Sequence, residues 1–165
     1  MSLIFFSVVV VGSVGMLVWL ARGPLFVPTK RAYIPHIISL LALRPGEKAA
    51  DLGSGAGRLL IALADTGAEA HGFEHNPLLV WCSRRAAARA GRQENAFTHL
   101  CNFWRQDLSS FDAVVVYGIP YIMPRLEEKL RRELRPGARV VSNSFPFPNW
   151  QPAAVHKQIY LYRQS

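Results

Sequence analysis

The residues best equipped for chemistry lie in Asp51-Leu52-Gly53-Ser54-Gly55-Ala56-Gly57-Arg58, where three alternate glycines follow an acid. Glycines at this density let a backbone turn sharply and approach a ligand closely. The G-x-G-x-G spacing lacks the wider second gap of the dinucleotide fingerprint, and the absence of Gly-Lys-Ser or Gly-Lys-Thr excludes a Walker A loop. Glu74 follows Gly55 by nineteen residues. At the end of a second strand, its carboxylate can accept both hydroxyls of a ribose. Asp107-Leu108 adds an acceptor for an exocyclic adenine amine and an apolar wall for the ring. Singly, such features are tight turns or solvated strand ends. At the ends of successive strands they describe an adenosine pocket.

Those side chains meet only if strands and helices alternate, and the pattern after residue 33 does so. Ile34 to Leu43 reads as an amphipathic helix stopped at Arg44-Pro45-Gly46. Lys48 to Leu52 is a short strand, Arg58 to Asp65 a helix, Glu69 to Glu74 a second strand, and Pro77 to Ala90 a helix closed by Gly91. A strand is expected near Phe97 to Phe103. Phe111 to Tyr117 is, but for Asp112, a continuous apolar run of the kind found in the middle of a parallel sheet. Pro124 to Leu134 is a charged amphipathic helix stopped by Arg135-Pro136-Gly137, and Arg139 to Phe145 is a fifth strand. Five such steps predict a doubly wound α/β sheet. Only twenty residues follow Phe145, too few to add a crossover helix and strand comfortably. His156 to Arg163 is therefore expected to return antiparallel beside the fifth strand, leaving a sheet shortened at its C-terminal end.

The chain has 165 residues, 50% hydrophobic and 18% charged, which describes one folded domain with a short appendage and excludes disorder or a collagen-like fibre. Lys and Arg outnumber Asp and Glu by 19 to 11, a formal charge of +8 that favours an anionic partner, either nucleic acid or a lipid surface. Cys82 and Cys101 have no His or Cys neighbours at ligand spacing, so neither a metal site nor a disulfide framework is indicated. From Leu3 to Ala21 nineteen residues pass without a charge, enough to cross a bilayer as a helix. No basic residue precedes this run, and Val18-Trp19-Leu20-Ala21 makes a poor cleavage site, which favours an uncleaved anchor over a signal peptide. Arg22, Lys30 and Arg31 follow it, so the positive-inside rule keeps the remainder on the cytoplasmic or organelle-equivalent side of a single-pass membrane protein.

The glycine loop, Glu74 and Asp107-Leu108 together resemble the class I S-adenosylmethionine-dependent methyltransferases, with their Rossmann-like sheet. The resemblance implies that Asp51 helps hold the methionine part of S-adenosyl-L-methionine, Glu74 the ribose, and Asp107 and Leu108 the adenine. Asp51, Gly53, Ser54, Gly55, Gly57, Glu74, Asp107 and Leu108 are then the cofactor-binding residues. Further segments narrow the match: Phe26-Val27-Pro28-Thr29, Asn76-Pro77, Gly118-Ile119-Pro120, Leu126-Glu127 with Lys129-Leu130, and Phe145-Pro146-Phe147-Pro148 with Trp150. With the N-terminal apolar segment, they resemble the small membrane-anchored protein-lysine methyltransferases whose mitochondrial members modify the ATP synthase c subunit and the adenine nucleotide translocase. The Phe-Pro-Phe-Pro-x-Trp block is the most discriminating part. Ala56 stands where the family usually has Asp, and the family usually has a basic residue nearer the Phe-Pro block than Asn143-Ser144 offers and a longer C-terminal region. On this resemblance residues 1–22 are a transmembrane anchor, 23–47 a linker and N-terminal helix, and 48–165 the methyltransferase domain.

Methyl transfer from a sulfonium to an amine needs alignment and a neutral nucleophile. Gly118, Ile119, Pro120 and Tyr121, after the fourth strand, are the candidate catalytic loop, with carbonyls and the hydroxyl of Tyr117 or Tyr121 available to orient the incoming nitrogen. Packing against the sheet end is the plain alternative for both tyrosines. The resulting expectation is N-methylation of a lysine in an integral membrane protein, with membrane lipid as a second partner. Two alternatives stand beside it: a nucleic-acid amino-group methyltransferase, and a membrane-tethered protein that binds the cofactor without transferring methyl. The first draws on the basic charge and on Pro120-Tyr121, the second on Ala56 and the shortened sheet. Gly118 in place of a polar residue before Pro120 weakens the nucleic-acid reading.

Overall fold

The structure, a computed structural model, describes residues 29–165. The expected membrane-spanning segment, residues 3–21, lies outside the described residues. Among the described residues no helix is long and apolar enough to cross a membrane.

Helix α1 (Ile34–Leu41) precedes strand β1 (Lys48–Leu52), α2 (Arg58–Ala64), β2 (Glu69–Glu74), α3 (Pro77–Arg89), β3 (Ala96–Leu100), β4 (Ala113–Val116), α4 (Met123–Glu133), β5 (Arg139–Asn143), β6 (Ala154–His156) and β7 (Ile159–Arg163). The strands form one seven-stranded sheet in the order β3-β2-β1-β4-β5-β7-β6. Strands β1 to β5 pair in parallel, with Asp51 level with Gly72 on one side and Val115 on the other. The β7 strand pairs antiparallel with β5, and β6 antiparallel with β7.

The expected return strand is therefore present, but the expectation of a shortened sheet is corrected. The C-terminal residues make a hairpin rather than a crossover, and a hairpin needs so few connecting residues that a seventh strand fits. Three boundaries also move inward. The first helix stops at Leu41 because Ala42 adopts φ 45°, a left-handed stop. The β3 strand ends at Leu100, since Asn102 caps a 3₁₀ turn, Phe103–Arg105, by accepting from the Trp104 N–H at 3.0 Å. The central strand is Ala113–Val116, every residue of it buried.

Alternation of side chains divides the core into two. Ala49, Ala70 and Val115 face Ile37, Leu41, Leu60, Leu63 and Ala87 of α1, α2 and α3. Ala50, Leu52, Phe73, Val114 and Val116 face Met123, Leu126 and Leu130 of α4, with Leu108, Phe111 and Phe147 filling the rest of that layer. On α3, Val80, Ser83 and Ala87 point inward, and the Ser83 and Thr98 hydroxyls meet at 2.7 Å.

Candidate active site

Asp51 shares the sheet face of Ala49 and Val115, and the same alternation brings Glu74 and Tyr117 onto that face at the C-terminal ends of β2 and β4. This is where open α/β sheets bind ligands, outside the carboxyl ends of their strands. Between β1 and α2 the loop turns through Gly53 (φ 85°), Gly55 (φ 55°) and Gly57 (φ 83°), a left-handed series that residues with a Cβ rarely adopt. A Cβ on Gly53 would meet nothing within 4 Å, so the loop is open above that residue. Gly57 serves a different end: a Cβ there would collide with Ser83, so its absence allows α3 to pack against the start of α2.

Glu74 is only 6% exposed, and its carboxylate is well supplied with donors. The Gly55 N–H donates to Oε2 at 3.0 Å, and the His75 and Asn76 N–H groups donate to Oε1 at 2.9 Å each. The second strand is thereby tied to the glycine loop. The His75 imidazole lies 3.2 Å from the same Oε1 and is exposed. Asn76 then caps α3, accepting from the Leu78 and Leu79 N–H groups, with Pro77 as the first helical residue. Asp51, 5% exposed, is different: burial first, and the negative charge of Glu74 second, push its carboxyl up to about 7, and no hydrogen bond among the described residues offsets either effect.

Ser54, expected among the cofactor residues, points under the loop. Its hydroxyl is buried without a partner among the described residues, in the space that a Cβ on Gly72 would otherwise occupy. Asp107 and Leu108 are placed away from the glycine loop, which corrects that expectation. The Leu108 N–H donates to Glu133, the last residue of α4, and Leu108 is buried in the layer beneath α4. The Asp107 carboxylate turns back to accept from the Ser109 N–H and hydroxyl, both at 2.9 Å, which holds its pKa below the usual value. The physical reason is the early end of β3. The chain leaves the C-terminal edge at Cys101, whose N–H donates to the Glu74 carbonyl, and Asn102 and Phe103 follow in the turn after it. An Asn followed by aromatics after a β run is a local turn signal, and it marks this position in the sequence.

The Gly118 to Tyr121 loop leaves the end of β4, adjacent to β1, and continues into a 3₁₀ turn, Pro120–Ile122, ahead of α4. Met123 packs against Gly118, where a Cβ would strike its sulfur. Tyr121 is 78% exposed. The Phe147 N–H donates to the buried Tyr162 hydroxyl at 2.9 Å, the Asn149 N–H donates to Glu127 of α4 at 2.9 Å, and Trp150 rests on Phe147 and Tyr162. Trp150 is thus packed as an apolar plug on this part of the core.

The description "ANTKMT methyltransferase domain" fits residues 51–154, from the acid of the glycine loop to the first residue of β6. The chain belongs to the ANTKMT methyltransferase domain family. Within that family it is 42% identical over 130 residues to the human lysine N-methyltransferase of the ATP synthase c subunit, covering 79% of this chain and 55% of the human one. It is 42% identical over 131 residues to the mouse adenine nucleotide translocase lysine N-methyltransferase, covering 79% and 57%. The chain thus spans about half the length of these curated relatives. Among solved structures it resembles one described as an RNA methyltransferase from Salinibacter ruber in complex with S-adenosyl-L-homocysteine. That likeness has a TM-score of 0.77 and 30% identity, and covers 84% of this chain and 92% of that one. The fold of this ANTKMT-domain chain is accordingly the Rossmann-like class I methyltransferase fold.

Proposed function

We propose that the protein is an S-adenosyl-L-methionine-dependent methyltransferase that N-methylates a lysine of an integral membrane protein. The observation that carries this reading is the pair of buried carboxylates, Asp51 and Glu74, flanking a left-handed glycine loop with open space above Gly53. These residues fit the cofactor. Asp51, with no donor among the described residues, suits the ammonium of the methionine part; Glu74 suits the ribose hydroxyls; Asn102 and Phe103, in the turn after Cys101, are assigned to the adenine side. Bound there, the cofactor supplies an electrophilic methyl group on a sulfonium.

The chain's own task is to bring a neutral amine into line. A lysine ammonium loses its proton more readily once it is desolvated or faces an acceptor. The Gly118 carbonyl, beside Tyr117, is the acceptor at the adjoining strand end, since the Ile119 and Pro120 carbonyls already accept from the Ile122 and Met123 N–H groups of the 3₁₀ turn. Tyr121 is too exposed to work as a buried acid or base, so its part is to cover and orient the incoming side chain. The named relatives act on the ATP synthase c subunit and the adenine nucleotide translocase, which supports a membrane-protein lysine here. Residues 3–21 are proposed to anchor the chain, with the domain on the cytoplasmic or organelle-equivalent side. The connection from residue 22 to Thr29, whose carbonyl Arg58 holds, reaches some ~25 Å when extended, which confines the domain to lysines near the bilayer.

The Salinibacter structure, described as an RNA methyltransferase, favours a second reading, transfer to an RNA amino group. Incubating the full chain and methyl-labelled cofactor with membranes, soluble proteins and RNA separates the two. Label on lysine of a membrane protein is expected. Label confined to RNA or to soluble proteins refutes the proposal.

A further inference from the structure

The surface beside the site is apolar and basic at once. On α3, Leu78 is 59% and Trp81 55% exposed, and Leu100 at the end of β3 is 55% exposed. Leu78, Trp81, Arg85 and Arg89 recur at steps of three, four and four, so they form one stripe along the helix, distinct from the buried Val80, Ser83 and Ala87. The Arg85 guanidinium lies 4.9 Å from the centroid of the Trp81 ring. The helix carries three arginines and no acid. Arg84 is engaged with the Thr98 carbonyl, and among the described residues neither Arg85 nor Arg89 has a carboxylate partner.

The position of the stripe matters as much as its composition. Its apolar end begins just past Glu74, so Leu78 lies at the strand-end edge that holds the site, with Trp81 one turn further along. On the far flank Tyr121 is open to solvent, and Arg125 covers Trp104 at 4.5 Å. Arg58, the first residue of α2 after the glycine loop, donates to the Thr29 carbonyl, so the N-terminal segment also enters at this edge. Indole and leucine side chains partition into the headgroup region of a bilayer, and guanidinium groups beside them bind anionic headgroups.

We propose that the Leu78–Trp81–Arg85–Arg89 stripe, with Leu100, docks on an anionic lipid surface and holds the mouth of the site at headgroup level. This rests on the methyl-transfer reading only for its purpose, because docking itself needs no turnover. Single-stranded nucleic acid would also stack on Trp81 and pair with the arginines. It would leave Leu78 and Leu100 without a role, so the exposed leucines favour lipid.

The test uses the full chain reconstituted in vesicles of phosphatidylcholine alone or with phosphatidylglycerol, with brominated acyl chains as the quencher. The Trp81 signal is the difference between the wild type and Trp81→Phe. Quenching of Trp81 is expected in anionic vesicles and not in neutral ones. Arg85→Gln with Arg89→Gln should lower the docked-to-free ratio about thirtyfold, from roughly one headgroup interaction per arginine. Leu78→Gln, also an exposed change, should weaken quenching without altering Trp81 itself. Equal Trp81 quenching in neutral and anionic vesicles, no quenching in either, or protection of Trp81 by polyuridylate in preference to vesicles overturns the proposal. A chain that docks but transfers no methyl group upholds this inference and refutes the proposed activity.

Discussion

Asp51 is the group in this site whose energetics differ most from those of an ordinary carboxylate, and Asp51→Asn exposes the difference. In the unfolded chain its pKa is about 3.9, whereas burial and the Glu74 charge raise it to about 7 in the fold. Between those values the unfolded state has lost the proton and the native state keeps it. Stability therefore falls as pH rises, by up to about 1.4 kcal/mol per pH unit. The contribution is fully present below about pH 4 and is lost on passing through about pH 7, a total of at most ~4 kcal/mol. Other carboxylates oppose this trend, since Glu47 beside Arg139 and Glu69 beside His71 are held below their usual values. The difference between variant and wild type isolates Asp51. Asn is neutral throughout and nearly the same size, so the variant should match the wild type near pH 4 and become the more stable protein by several kcal/mol at pH 8. Urea unfolding at closely spaced pH values measures this through the midpoint at constant slope. Parallel stability profiles for the two proteins would refute the reasoning. The same proton links to the ligand: an ammonium beside Asp51 favours its charged form, so cofactor affinity should tighten as pH rises toward 7 and level off above it. In Asp51→Asn that dependence should vanish along with part of the affinity.

Glu74→Gln preserves shape but turns an amide N–H toward main-chain donors, leaving at least one of the Gly55, His75 or Asn76 N–H groups unpaired. The expected loss is about 1–3 kcal/mol of stability and at least about tenfold in cofactor affinity. Calorimetry showing full affinity would exclude Glu74 as the ribose ligand. Because the charge that helps raise Asp51 is gone, the falling stability limit near pH 7 should also move to lower pH. Tyr162→Phe removes the acceptor of the buried Phe147 N–H and should cost about 1–3 kcal/mol, a few degrees in Tm, and alter Trp150 fluorescence while cofactor affinity is retained. An unchanged Tm would show that this hydrogen bond does not hold the C-terminal block.

What could be read from the sequence, and what could not, follows the range of the interactions involved. Strands β1, β2 and β4 and helices α2 to α4 announce themselves through periodicity and stop signals, because their apolar faces are set by the sheet they pack against. Asp51, Gly53, Gly55 and Glu74 were legible for a related reason: adjacent parallel strands put their C-terminal ends in one place whatever the details of packing. Asp107 misled because a loop between parallel strands must travel the full length of the sheet, and the sequence does not state where along that path a residue lies. Asn102, which turns the chain at the correct end, was hidden inside an apolar run read as strand, although its capping role is purely local. In the C-terminal hairpin β7 is the expected return strand, but β6 escaped for the opposite reason. That short strand is half solvent-facing, and Val155 shows no alternating apolar partner to betray it. Asp51 carries the lesson furthest. An acid before a glycine loop is visible as a letter, but its shifted proton affinity depends on burial beneath a closed loop and on Glu74 arriving from the next strand. Both are properties of the assembled sheet edge, where the glycine loop stays open above Gly53 while Asp51 beneath it is buried.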